Sequence, residues 1–382
     1  MLLTAFSAII LIIWMVLAGT RLPPFSPPPR LGVEAAPARR PGVVAVTPAR
    51  NEEETIGAAI AAHAASDYPG AFSVVLVDDH SSDETVARAR AAGGERLTIC
   101  AAPPLPAGWS GKLWAVNAGL TQAKDIAPDA DYVLLTDADI VLAPSTLSRL
   151  VAKAEESGAA LTSLMARLDA RGFWGGLLIP AFVYFFYKLY PFHLVNDPAR
   201  PLAGAAGGCM LVRRDALDAI GGVSAIGGKL IDDCALADAI KSSGRPLWLG
   251  IAKDEAVSLR DNRRLSSIWS MVARTAFTQL DHSWSMLGGT LIGMVVVYLA
   301  APAIALGFPL HENALAATIA AAAWALMALT YLPIARIYGQ APWKTFFLPA
   351  AAFFYTLMTV SSAVDHARGR GGAWKGRTYP AS

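Results

Sequence analysis

Asp137 and Asp139 are the residues of this chain best placed to do chemistry. They flank Ala138 at the end of the apolar run Tyr132-Val-Leu-Leu135, just after Thr136. Side chains alternate along a strand, so residues two apart can point to one side. Two carboxylates held that way repel each other unless a cation lies between them. Hard oxygen ligands of this kind suit Mg²⁺ or Mn²⁺, with phosphate oxygens completing the shell. Two solvated turn aspartates would give the same short pattern, so the rest of the chain decides. It holds three further polar clusters: Arg50-Asn51-Glu52, Asp78-Asp79 and Asp232-Asp233.

Val43–Val46, Ser73–Val77, Leu97–Cys100 and Tyr132–Leu135 read as short buried strands. Between them, Glu54–Ala65, the stretch up to Ala92 and Leu113–Ala123 read as helices. Such alternation predicts crossover units and an α/β domain with a mostly parallel sheet. In open sheets of that kind ligands bind at the carboxyl ends of the strands. Arg50-Asn51-Glu52, Asp78-Asp79 and Asp137/Asp139 all fall at such ends. Further on, Gly204–Arg214 is a small-residue loop entering a strand, Asp215 can cap a helix ending at Gly221-Gly222, Asp232-Asp233 opens a helix through Ile240, and Leu247–Ile251 is a last strand.

The 382 residues are 54% hydrophobic and only 16% charged, too apolar for an ordinary soluble protein. The net charge of +2 gives no reason to expect nucleic acid. Cys100, Cys209 and Cys234 form neither a zinc pattern nor a disulfide framework, which fits a reducing compartment. Residues 1–20 read as a transmembrane anchor with no basic residue ahead of the apolar run, unlike a cleaved signal peptide. Arg21, Arg30, Arg39 and Arg40 follow it and favour a cytoplasmic location for what comes next. Residues 21–41 read as a Pro-rich spacer holding the domain off the bilayer, and 42–265 as the catalytic domain. Within that domain, the aromatic segment 173–195 suggests helices lying in the membrane interface or lining an apolar acceptor groove, with a buried core helix as the plain alternative. Residues 266–284 read as an amphipathic interface helix. Residues 285–365 hold three apolar runs, Met286–Leu306, Ala314–Leu332 and Phe346–Val364, and 366–382 form a basic tail.

Together the motifs resemble family 2 glycosyltransferases of the GT-A fold. Within them, the block Leu178-Ile-Pro-Ala-Phe-Val-Tyr184, the loop Gly108-Trp-Ser-Gly-Lys112 and the basic tail are most similar to the bacterial hopene-associated subfamily. The resemblance covers about Val43–Arg274 and the membrane layout. It implies a first nucleotide loop of Pro48, Arg50, Asn51 and Glu52, and a uracil-binding block at Asp78-Asp79. It also implies that Lys112 offsets donor diphosphate charge and that Asn117 holds a backbone turn or the donor. Asp137 and Asp139 would hold a Mg²⁺ or Mn²⁺ ion bridging the two phosphates. Asp233 would be the general base, its proton affinity raised by Asp232. Processive members carry a Gln-x-x-Arg-Trp block that is not found here, which implies a single transfer and leaves Arg274 as a candidate donor-clamping cation. His282 has no clear role.

The function so implied is inverting transfer of a sugar from a nucleotide donor, UDP-linked, to a membrane lipid hydroxyl, a hopanoid by subfamily. Polyprenyl phosphate and a sphingolipid-like or glycerolipid headgroup are the other acceptors. A polytopic transport or scaffold protein with a vestigial nucleotide fold is the reading from another class. The expected location is the bacterial inner membrane, multi-pass, with the catalytic domain cytoplasmic. The basic tail and the loop carrying Arg336 and Lys344 both prefer that side, which is met if Phe346–Val364 dips in and returns, with Pro349 helping to break it. Trp374-Lys-Gly-Arg377 would then fold back near the donor site or anionic headgroups.

Overall fold

The structure, a computed structural model, describes residues 1–23, 27–32 and 39–370. Helix α1 (Leu2–Thr20) comes first. Then β1 (Gly42–Ala49), α2 (Ile56–Ala64), β2 (Phe72–Asp78), α3 (Thr85–Gly93), β3 (Leu97–Ala101), α4 (Gly111–Ile126) and β4 (Ala130–Thr136) alternate as the sequence predicts. The unit continues with β5 (Ile140–Leu142), α5 (Thr146–Ser157), β6 (Leu161–Met165), α6 (Gly172–Leu189), β7 (Cys209–Arg213), α7 (Asp232–Ser242), β8 (Leu247–Ile251) and β9 (Ala256–Ser258). Beyond it lie α8 (Leu265–Ala273), α9 (Trp284–Leu306), α10 (Ala314–Ile337) and α11 (Leu348–Ala367).

Seven strands form one sheet in the order β3-β2-β1-β4-β7-β6-β8. It is mostly parallel, and β7 runs against both of its neighbours. The run Val43–Ala49 is buried throughout, as expected of a central strand covered on both faces. Gly119 lets α4 lie hard on this sheet: a Cβ there would come within 2.4 Å of Val46 and 2.7 Å of Val77. The short strands β5 and β9 make a separate antiparallel pair with Ile140 opposite Ser258.

The linker departs from the expected spacer. Of its described residues, Leu22 and Leu31 are buried, Pro29 O accepts from the Ile251 N–H on edge strand β8, and Arg149 donates to Leu31 O and Gly32 O. Arg149 is held in turn by the buried Glu255, at 3.1 Å. Arg21 and His193 tie the end of α1 directly to the end of α6, through Lys188 O and Thr20 O. The described part of the segment therefore straps the α/β unit to the apolar helices.

Among the described residues five helices are long and apolar enough to cross a membrane: α1, 172–195, α9, α10 and the stretch 342–367. Strands β6 and β7, on either side of α6, are hydrogen-bonded neighbours. The chain therefore leaves and returns on one face of the sheet, and α6 packs along the unit. Its Tyr184 meets Thr330 and Tyr331 of α10, and its Leu178 O accepts from Tyr355 of α11. The expected amphipathic helix is shorter than 266–284, ending at Ala273 and followed by a tight turn at Thr278–Leu280.

Small residues let α10 approach α1. Ala316, Ala320 and Ala323 are fully buried, facing a helix whose Ser7, Ile10 and Trp14 are also fully buried. The Trp14 indole donates to Val297 O at 2.9 Å, inside a π-helical turn (Val295–Leu299) of α9. After α10, Tyr338 and Gln340 reach Leu168 and Gly176 of the catalytic unit. The tight turn Pro342–Phe347 then runs back along α10, where Trp324, midway along that helix, donates to Phe346 O. From there α11 returns to the unit: Trp269 donates to Ser361, and the Phe277 N–H to Ser362. Pro349 sits in the first turn of α11, where its missing N–H costs no hydrogen bond. It starts this helix and does not break it.

Candidate active site

A cleft of about 860 Å³ opens at the carboxyl ends of β1 and β4. Its size suits a nucleotide sugar. Pro48, Asn51, Glu52, Lys112, Asp137, Asp139 and Asp232 all line it, so most of the residues picked from sequence converge. The first two loops are knitted together: the Asn51 N–H donates to Ser81 Oγ, the Ser82 N–H to Asn51 Oδ1, and the Glu52 N–H to Thr85 Oγ1.

Lys112 stands at the centre. Ser110 caps α4 by accepting the Leu113 N–H, which fixes Lys112 in the first turn. Its ammonium lies 2.9 Å from Asp137 and 3.1 Å from Asp232. Burial opposes its charge, but the nearby carboxylates outweigh burial and raise its pKa above the ordinary lysine value. Asp137 moves the other way. Burial raises it first, Lys112 opposes that, and the charges of Asp139 and Asp232 raise it further. Asp139 is aimed by the small sheet: its Oδ2 accepts from Ser258 Oγ at 2.8 Å and its carbonyl from the Leu259 N–H.

Asp137 and Asp139 offer this cleft hard carboxylate oxygens of the kind a divalent cation takes. Among the described residues no closed three-ligand metal group forms. An ion held by Asp137 and Asp139 would thus take further oxygens from a phosphate-bearing ligand.

The adjacent pair at the start of α7 divides its duties. Asp232 lines the cleft and binds Lys112, whereas Asp233 accepts the Gly207 N–H and its own helix's Cys234 N–H, both at 2.8 Å. Burial and then the Asp232 charge push Asp233 up to about 6, against Lys112 and those two N–H groups. Gly207 allows this approach, since a Cβ there would stand 3.2 Å from Asp233 Oδ2.

Several sequence candidates do not line the cleft, among them Arg50 and Asp233, whose carboxylate is turned to the Gly207 and Cys234 N–H groups. Asp79 is buried behind it beside Arg50, 3.8 Å away, and Asp78 accepts the Ser81 N–H. Asn117 lines a different cavity, with Lys124 and Arg214. Five residues beyond Lys112, it is turned about 140° around the helix. Conversely, Lys229, Arg260, Ser267 and Ser270 line the cleft and were not singled out, and Arg274 joins them there. Burial and Arg260 lower the Arg274 pKa, while Asp137, Asp232 and Asp139 oppose this. The sequence did carry a signal for this wall: Ser267, Ser270 and Arg274 recur every three to four residues on an otherwise apolar helix and its C-terminal edge.

The sequence profile of glycosyl transferase family 21 matches residues 1–381. It is that profile, and not the family 2 resembled by the motifs, that matches. No curated protein sequence matches the chain. Among solved structures, a mannosyltransferase from Pyrobaculum calidifontis in complex with GDP-Man and Mn²⁺ is similar at 18% identity, over 95% of this chain and 98% of that one, with a TM-score of 0.51. A glucosyl-3-phosphoglycerate synthase from Mycobacterium tuberculosis in complex with Mg²⁺ and uridine-diphosphate aligns at 20% identity, over 63% and 79% of the two chains, with a TM-score of 0.43. At 18% identity the likeness to the mannosyltransferase speaks to fold alone.

Proposed function

Since the chain belongs to glycosyl transferase family 21, we propose that it transfers a sugar, with inversion, from a nucleotide donor to the hydroxyl of a membrane lipid. The observation that carries this is the meeting, in one cleft, of Lys112, Asp137, Asp139, Asp232 and Arg274 beside a bundle of apolar helices. Lys112 and Arg274 would take the donor diphosphate. A Mg²⁺ or Mn²⁺ ion held by Asp137 and Asp139 would neutralise the departing diphosphate. Asp233 takes the acceptor's hydroxyl proton on a carboxylate oxygen. The freed oxygen attacks the anomeric carbon opposite the diphosphate, and the bond to the diphosphate breaks.

The α8 wall supports a lipid acceptor. Ser267, Ser270 and Arg274 belong to the cleft, while Trp269 of the same helix is tied to α11. A headgroup could therefore reach the cleft while its apolar body stays among the helices. By the motif resemblance the donor is UDP-linked and the acceptor a hopanoid, with polyprenyl phosphate and other glycolipid precursors as alternatives. The test is nucleoside diphosphate release by the full chain in lipid vesicles, across UDP- and GDP-linked sugars and with and without EDTA. Mass spectrometry of the lipids follows. UDP release with a new glycolipid, abolished by EDTA, is the expected result. No release with any donor, or release without a glycolipid, would sink it.

A further inference from the structure

Away from the cleft, one cation is withdrawn from solvent with no anion beside it. Lys188 lies in the last turn of α6, partly buried, with its ammonium 4.8 Å from the centre of the Tyr298 ring. Its charged neighbour is another cation, Arg21, and no carboxylate forms an ion pair with either among the described residues. The usual reason for a basic residue at a helix end is to meet the last carbonyls. Here Arg21 already does that, donating to Lys188 O and Leu189 O. The Lys188 ammonium is left with an aromatic face.

Three further features meet at this point. Tyr298 is fully buried and its hydroxyl has no hydrogen-bond partner. It sits in the π-helical turn of α9, a local irregularity often found at functional sites. Trp14 and Phe185 pack edge-on against its ring. Arg21 and Lys188 meet where α1 and α6 end, and the Lys188 side chain reaches inward from there to Tyr298, beside Trp14. A half-buried cation beside a second cation and no carboxylate is costly, so an anion from outside the chain is the natural complement.

The geometry points to a binding site for the phosphate of an anionic bilayer lipid, held by Lys188 and Arg21. The bilayer is its source, because the site lies between apolar helices where a soluble phosphate would have to shed its water.

The test uses the full chain in nanodiscs of phosphatidylcholine mixed with phosphatidylglycerol, followed by native mass spectrometry of the retained lipid. The parent should retain phosphatidylglycerol in preference to phosphatidylcholine. Each juxtamembrane cation contributes roughly fivefold to such a preference, so Lys188→Met and Arg21→Met should each lower it by about that factor. Lys124→Met, an exposed lysine paired with Asp218, should leave it unchanged. Thermal midpoints give an independent reading. Phosphatidylglycerol should raise the parent's midpoint and not that of Lys188→Met, which folds readily because it removes a buried charge. Equal retention by the parent and Lys188→Met would overturn the site. Displacement of the lipid by millimolar inorganic phosphate would overturn the bilayer as its source.

Discussion

At the scale of single residues, Asp232 and Asp233 show how adjacent identical side chains come to differ. A step of one residue turns about 100° around a helix. That turn puts Asp232 on Lys112 and Asp233 on the Gly207 N–H. If Asp233 is the base, turnover falls as pH drops through about 6, because the protonated acid cannot accept the acceptor's proton. Asp233→Asn should lower turnover about 100-fold or more, while nucleotide binding measured by calorimetry stays. Stability should move the other way. The folded-state pKa of Asp233 is raised, so its stabilising contribution is full below the ordinary 3.8 and is lost as pH rises through about 6. At pH above 7 its ionised form is a burden, and the asparagine variant should melt no lower than the parent there. A clear fall in melting temperature at that pH, or near-normal turnover, would remove Asp233 from this role.

At the scale of elements, α8 and the strap before β1 are the parts to probe. Arg274→Met should raise the KM for the nucleotide sugar about tenfold, as expected for loss of a charge-assisted contact. An unchanged donor KM in steady-state kinetics would exclude it from the donor wall. Glu255 holds Arg149 and the Lys253 and Asp254 N–H groups from a buried position. Glu255→Ala leaves Arg149 uncompensated and should cost about 3 kcal/mol of unfolding free energy, read by denaturant titration. How legible each element was follows its physics. β1, β2 and β4 stood out because strands buried on both faces are continuous apolar runs. β5 and β9 did not, because three residues carry no period and their pairing spans more than a hundred residues of chain. Of the site, the residue types and the strand ends were legible. The bridge from Lys112 to both Asp137 and Asp232 was not, since it joins three distant segments that only the tertiary fold brings together. Asn117 was misplaced for a local reason, the turn of the helix it shares with Lys112.

At the scale of the whole molecule, the course of α11 bears on sidedness. It begins beside Trp324, midway along α10, and ends against α8 and Phe277. A helix that starts at mid-depth and returns to the catalytic unit leaves its end on that unit's side. With the catalytic unit on the cytoplasmic side, as the charge pattern of the sequence leads one to expect, a reporter active only outside the cytoplasm, fused after Ser382, should be silent, and one active inside should be bright. Strong activity of the outside reporter would mean a full crossing by α11. The segment Trp374-Lys-Gly-Arg377, expected to fold back near the donor, lies outside the described residues.

The pairing of α1 with α10 has a consequence for how the protein is made. Helix α1 finds its partner in a segment roughly 300 residues later, a wait of about 15–60 s at ordinary translation speeds. Over that interval the indole N–H of Trp14 lacks the carbonyl of Val297, and Thr4 lacks the Asn313 amide. The catalytic unit, encoded between the two, has time to fold first. Synthesis thus proceeds from an early globule to a closed bundle, and a chain truncated before Ala314 leaves α1 without α10, against which its Ser7, Ile10 and Trp14 face is buried.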